Sequence, residues 1–164
     1  MGAGKLDTEL FVKYGYVPHK DKGPYPDEAW MFSASHTLEY SFGAYAVAQM
    51  AKALGKTADY DKLMDLSKGW ERIYNTETNL IQPKWENGQF IDNFDPMQVW
   101  RGFQEGNAYQ YTFYVPHDAK NLIAKMGTEE FTERLDSIFI VSQDKIFSGG
   151  KNIDAFAGLQ TYYN

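Results

Sequence analysis

The sequence predicts an all-α chain built of antiparallel helical hairpins, with long loops and a minor share of β-hairpin. Three observations predict it. Apolar residues recur at steps of three and four in two stretches separated by about three residues. The pattern then lapses over some thirty residues rich in turn formers, and afterwards resumes in shorter helical segments. With 43% hydrophobic and 16% aromatic side chains in 164 residues, there is enough apolar material for one modest core, which excludes a disordered chain.

The first complete helix is expected over residues 35–54, where Leu38, Phe42, Tyr45, Ala46, Gln49, Met50 and Ala53 recur on one stripe. Gly55 suits the left-handed position just past a helix end, and Lys52 and Lys56 complement the carbonyl terminus. A second helix is expected over 58–74, with Thr57 as cap, Asp59 and Asp61 in its first turn, and a stripe of Leu63, Leu66, Trp70, Ile73 and Tyr74. So short a join predicts an antiparallel αα-hairpin. Upstream, residues 7–14 resemble the final turns of another helix.

Residues 75–106 hold Pro83, Asn87-Gly88 and Asp95-Pro96, and Asn87-Gly88 between Trp85 and Phe90-Ile91 marks a hairpin turn. A connection of that length inside a compact domain is expected to carry function. Helical pattern returns over 107–115, stops at Pro116, and restarts behind Asp118 as cap through Met126 to Gly127. A last helix is expected over 128–141, with Glu129 and Glu130 in its first turn and Phe131, Leu135, Ile138 and Phe139 facing inward. The tail over 148–164 is Gly-rich and has no stop signal, so both ends are expected to be cuts in a longer domain.

Charge and composition remove several classes of function. Sixteen Lys and Arg against 22 Asp and Glu leave a net charge of −6, with the basic residues scattered, so neither nucleic acid nor an anionic membrane surface is an expected partner. No apolar run is long enough for a membrane span. The absence of cysteine removes disulfides, thiolate metal sites and cysteine nucleophiles. His19, His36 and His117 share no ligand spacing on one helix, which leaves no histidine zinc motif, and His36 and His117 read first as structural groups. Asp92 and Asp95, beside Asn93, lack the interior Gly and terminal Glu of a calcium loop and read as solvated turn residues. Gly149-Gly150 lacks the lysine-hydroxyl ending of a phosphate loop. Trp30, Trp85 and Trp100 lie in or next to loops, each read first as a buried anchor and second as a platform.

The residues best suited to chemistry are Gly102-Phe103-Gln104-Glu105-Gly106-Asn107-Ala108-Tyr109-Gln110-Tyr111, where a carboxylate stands among aromatics and amides at a loop-to-helix junction. Aromatic faces stack on the apolar side of a pyranose, amides and carboxylates bond its hydroxyls, and a carboxyl beside rings is pushed toward general-acid use. On these residues alone the alternative stays open: Glu105 complements the helix dipole and the tyrosines fill the core. A second cluster, Ser33-Ala34-Ser35-His36-Thr37-Leu38-Glu39-Tyr40, places Glu39 near a helix N-terminus, either as a site carboxylate or as an ordinary acidic first-turn residue.

At these residues the chain resembles the family 92 glycoside hydrolases, exo-acting α-mannosidases. Four stretches carry the resemblance: Gly15-Tyr16-Val17-Pro18; Ser35 to Tyr40 with Ala48-Gln49-Met50-Ala51-Lys52-Ala53-Leu54-Gly55; Glu105-Gly106-Asn107-Ala108-Tyr109-Gln110-Tyr111; and Val115-Pro116-His117-Asp118. The resemblance implies a partial (α/α)6 toroid, preceded in intact members by a β-sandwich domain, with the site between them. It implies an inverting, calcium-dependent release of terminal mannose from α-mannosides such as N-glycans, in an extracellular or periplasmic location. It places the general acid at Glu105 and sugar contacts at Glu39, Asn107, Tyr109 and Gln110. The base, the C-terminal part of the toroid and most calcium ligands fall in segments this chain does not contain, so the chain alone is expected to be inactive.

Two departures stand out. Tyr109 replaces a usual Trp, and Ser41-Phe42-Gly43-Ala44-Tyr45 lacks the two carboxylates common after the Leu-Glu-Tyr motif, which bears on linkage preference. The competing class is a non-catalytic helical domain whose aromatics bind glycan or serve as scaffold.

Overall fold

The computed structural model of the chain describes residues 7–21, 32–98 and 100–142. Trp30, Gly149-Gly150 and the tail over 148–164 lie outside the described residues. The elements in order are α1 (Thr8–Tyr14), α2 (Ser33–Ala53), α3 (Thr57–Leu66), α4 (Gly69–Arg72), β1 (Tyr74–Asn75), β2 (Leu80–Ile81), α5 (Ala108–Tyr111), α6 (Ala119–Met126) and α7 (Thr128–Ser142). The described chain is therefore mostly helical, with one small antiparallel sheet pairing Tyr74 with Ile81 and Asn75 with Leu80. None of its described helices is long and apolar enough to cross a membrane.

Helix α2 runs almost as expected and ends at Gly55, whose φ of 70° is the left-handed conformation that glycine tolerates. The hairpin with α3 is antiparallel. Lys52 reaches over the Tyr60 ring, Gln49 meets the Met64 sulfur, and Ser41 lies beside Gly69, so positions fall along one partner as they rise along the other.

The buried face of α2 differs from the expected stripe. Ala34, Thr37, Leu38, Ser41, Ala44, Ala48 and Ala51 are buried, and of the expected set only Leu38 joins them. Phe42 is 39% exposed and Met50 64%. Apolar residues surround this helix, so its phase is not fixed by hydrophobicity, and the small face wins because it lets neighbouring backbone approach closely. The buried hydroxyls cost little: Thr37 Oγ1 and Ser41 Oγ each donate to the carbonyl one turn back, at 2.7 Å.

Close approach also splits the expected helix over 58–74. A β-carbon at Gly69 would lie 2.7 Å from the Gly15 carbonyl and from the Phe11 ring. The chain turns at Ser67, whose carbonyl takes a hydrogen bond from His117 Nε2 at 3.0 Å, restarts as α4, and enters β1 at Tyr74. Thr57 is not the cap of α3. The capping position is Lys56, with no side-chain cap bond.

The main core gathers Leu38, Trp70, Ile73, Ile81, Phe103, Ala108, Val115, Leu122 and Met126. Asp118 stands at the N-terminal cap position of α6 without capping it. Its carboxylate accepts instead from the Trp70 indole at 3.3 Å and from Asn121 at 3.2 Å. Helix α5 is only four residues long where 107–115 was expected, because Thr112 bonds back to Ala108 while accepting the Ile81 N–H, and Pro116 follows closely. In α7 Ile138 is buried and Phe131 meets Phe113 edge-on, whereas Phe139, expected inside, is 60% exposed. The Asn87-Gly88 turn forms as read, closing an antiparallel bridge between Lys84 and Phe90.

Gly69→Ala is expected to destabilise the fold by about 1–3 kcal/mol, the usual cost of forced overpacking. Gly43→Ala on α2, where nothing lies within 4 Å of an added β-carbon, is expected to stabilise it by about 0.5–1 kcal/mol. Urea unfolding of both variants checks the pair, and a Gly69→Ala midpoint equal to the parent's would contradict the close-approach account.

Candidate functional site

The loop from Trp100 to Asn107 is held from its N-terminal side by the start of α2. The Gly102 carbonyl accepts the backbone N–H groups of Ala34 at 2.9 Å and Ser35 at 3.1 Å, which a helix start otherwise leaves unpartnered. Gly102 has a φ of 89°, and a β-carbon there would strike Pro83 at 2.3 Å, so this position needs glycine twice over. Phe103 is fully buried, with its ring 5.5 Å from that of Tyr111. The Gln104 N–H donates to Ser35 Oγ at 2.9 Å, and its carbonyl accepts from the Tyr111 hydroxyl at 2.6 Å.

Glu105 follows with a φ of 54°, left-handed and unfavourable for a residue with a β-carbon. It is exposed. Trp100 is also left-handed, at 71°, and packs on Phe32 at 5.8 Å. Left-handed non-glycine residues persist only where their surroundings hold them, and they concentrate at functional loops.

Asn107 and Gln110 form a capping box at the start of α5. Asn107 Oδ1 accepts the Gln110 N–H at 3.3 Å, and Gln110 Oε1 accepts the Asn107 N–H at 2.7 Å. Both amide orientations are fixed by these bonds, so Asn107 Nδ2 and Gln110 Nε2 must point elsewhere. Both nitrogens are buried and meet no acceptor. Tyr109 is half-buried on the same short helix.

Glu39 lies on the second turn of α2, since the helix begins at Ser33, so it is no first-turn acid. It sits one turn beyond Ser35 on the same face. Its charge and that of Glu105 both act on the Tyr111 phenol. Burial pushes the Tyr111 phenol above its ordinary range, a hydrogen bond with Ser35 opposes this, and the carboxylates of Glu39 and Glu105 push it up further. Asn107 and Gln110 thus meet each other directly, whereas Glu39 and Glu105 are related only through the effect of their charges on the Tyr111 phenol. The sequence reading gave no role to Ser35 or Tyr111, although both lie inside the motif strings. The available signal was the spacing of Ser35 and Glu39, four apart on one helix.

The three histidines stay apart. His36 Nδ1 is 3.1 Å from Asp7 Oδ2, and His117 holds the Ser67 carbonyl. His19 is buried, with Nδ1 3.2 Å from Ser33 Oγ and its ring 5.3 Å from that of Trp85. Asp95 Oδ1 accepts the Met97 N–H in its own turn. Among the described residues no three His, Cys, Asp or Glu side chains come close enough to hold one metal ion.

Residues 2–164 match the Glycosyl hydrolase family 92 catalytic domain. The chain belongs to that family. Among solved structures it is similar to a family GH92 alpha-mannosidase of Bacteroides thetaiotaomicron, at 34% identity and a TM-score of 0.73 over 84% of this chain and 18% of that one. The same alpha-mannosidase in complex with mannoimidazole aligns at 33% identity and a TM-score of 0.71, over 81% of this chain and 18% of that one. A family GH92 inverting mannosidase from the same organism aligns at 27% identity and a TM-score of 0.71, over 93% and 19%. An uncharacterized secreted glycosidase of Arthroderma benhamiae is 28% identical, over 74% of this chain and 19% of its own. The chain spans about a fifth of the length of these relatives.

In this family 92 chain, burial lowers His19 to about 4, with the nearby Asp21 carboxylate only partly opposing it. The unfolded chain, with an ordinary imidazole near 6.5, binds the proton first, so stability is expected to fall as pH drops from about 6.5 to 4, by about 3 kcal/mol at the acid end. His19→Gln should flatten that part of the profile. Urea unfolding at several pH values in this window checks it, and a slope identical in both proteins would be the contrary result.

Proposed function

We propose that the protein carrying this chain is an exo-acting inverting α-mannosidase that removes terminal mannose from α-mannosides such as N-glycans, with Glu105 as general acid. The observation that carries this reading is the left-handed Glu105, held in a strained loop of a family 92 domain between the hydrogen bonds on Gln104 and the one on the Asn107 N–H. The relatives support the class, since one similar structure is an alpha-mannosidase by description, seen with mannoimidazole, and another is an inverting mannosidase. Exposure of the Glu105 carboxyl suits a group that must reach the bridging oxygen of an incoming glycoside.

In this reading Glu105 protonates the leaving oxygen while a water attacks the anomeric carbon from the opposite face. Inversion calls for a second carboxylate about 6.5–9.5 Å from the acid, with room for that water between them. We place the base beyond this chain, together with the remaining hairpins of an (α/α)6 toroid and a preceding β-sandwich. Glu39 and Tyr109 offer a carboxylate and a ring to the sugar, and Asn107 and Gln110 complete the subsite from behind. Calcium is assigned mainly to ligands outside the described residues, which offer no set of three for it, and no step is routed through it. The secreted relative favours an extracytoplasmic location.

Glu105→Gln in the protein carrying this chain is expected to lower kcat on an α-linked mannobiose by about 10²–10⁴-fold, the range of a lost general acid, while binding of a mannose analogue stays within about threefold. The anomer first released, followed by NMR, should be the inverted one. Full activity of Glu105→Gln would remove the assignment. Glycan binding without hydrolysis by the parent protein would favour the helical carbohydrate-binding or scaffold alternative.

A further inference from the structure

We propose that Ser35, Tyr111 and Gln110 are positioning residues: by clamping the peptide groups on either side of Glu105 they fix where its carboxyl points. The inference rests on the reading of Glu105 as the acid and names the groups that aim it.

The first half of the clamp is a pair of hydrogen bonds on the Gln104 backbone. Its N–H donates to Ser35 Oγ at 2.9 Å. The Tyr111 O–H donates to its carbonyl at 2.6 Å, so both backbone polar groups of the residue before Glu105 are held by side-chain hydroxyls. Loss of either hydroxyl frees one of them. The second half is the Gln110 carbonyl oxygen on the Asn107 N–H at 2.7 Å. Glu105 and Gly106 are the residues between the two halves.

The backing of this clamp is rigid. Ser35 is 1% exposed and belongs to α2, whose first N–H groups hold the Gly102 carbonyl. Phe103 and Asn107 are fully buried, and the Tyr111 ring packs against Phe103. Glu105 itself sits in a conformation that a free loop would leave. A general acid works only within hydrogen-bond reach of the proton acceptor, and a displacement of about 1 Å can cost on the order of a hundredfold in rate. The clamp supplies this positional constraint without touching the substrate.

Tyr111→Phe keeps the aromatic packing and removes only the hydroxyl, and Ser35→Ala removes the other hydroxyl that holds Gln104. Both are to be made in the protein carrying this chain and assayed on an α-linked mannobiose and on 2,4-dinitrophenyl α-mannoside, whose leaving group departs without a proton. On the mannobiose each variant is expected to lose about 10–100-fold in kcat, with KM within about threefold. On the dinitrophenyl substrate the loss should be at least about tenfold smaller. The double variant should lose less than the product of the two single losses, because both release the same residue, Gln104.

A purely structural role would reduce both substrates alike, in step with the folded fraction measured by thermal melting. Equal losses on the two substrates, or none, would overturn the clamp. Glu105→Gln on the same substrate pair separates the two ideas. If it too shows no dependence on the leaving group, the acid assignment fails and the clamp with it. If it shows the dependence while Tyr111→Phe and Ser35→Ala do not, the clamp alone is refuted.

Discussion

The Gly102 carbonyl, shared between the Ala34 and Ser35 N–H groups in the first turn of the long helix, is the contact on which the arrangement of the site depends. Phe32, at the cap position, offers no side-chain acceptor, so the start of α2 must take its partner from elsewhere in the chain. Taking it from Gly102 joins segments nearly seventy residues apart and places Ser35 beneath Gln104. The left-handed backbone at Gly102 turns the carbonyl to the helix while leaving the Pro83 ring its space. Any side chain at this position would face both a conformational and a steric penalty.

The helical hairpin supports that contact from below. Its inner face is made of alanine and hydroxyl residues, which lets α4 approach until Gly69 meets the Gly15 carbonyl. The hydroxyls also connect across elements: Thr37 Oγ1 accepts the Val17 N–H and ties the loop after α1 to α2, as Thr112 ties β2 to α5. Buried polar groups of this kind fix register where aliphatic packing would allow sliding, because an unmet N–H in the core is costly. The motif strings at Val17, Ser35 and Glu105 thus reach one neighbourhood through hydrogen bonds between elements.

Helix α2 and the hairpin turn after Gly55 were legible because period and glycine agree locally. The buried face of α2 was not, since Phe42, Val47 and Met50 are more hydrophobic than the alanines that lie inside, and only the partner's proximity selects the small face. Asp118 had the composition of a cap, yet the Trp70 indole, forty-eight residues away, claims its carboxylate. Near the candidate site, the sequence showed a carboxylate among rings and amides. The left-handed backbone of Glu105 could not be read, because nothing in a Gln-Glu-Gly string requires it without the bonds on Gln104 and Asn107. The capping box was within reach, as Asn followed three residues later by Gln is its ordinary spacing.

That box changes how the amides relate to a ligand. Capping uses only the oxygens of Asn107 and Gln110, and it leaves two NH2 groups aimed into the protein with no acceptor. An unmet buried donor is unfavourable, and a bound water bridging to a second polar group is the usual remedy. The side chain of Asn107 is fully enclosed, so any ligand would meet it only through such a bridge or after movement of the loop. Glu39 and Tyr109 are half-exposed and need neither. The five candidate residues therefore divide by accessibility: Glu105, Glu39 and Tyr109 at the surface, and the paired amides behind, fixing the short helix against which the Glu105 loop is set.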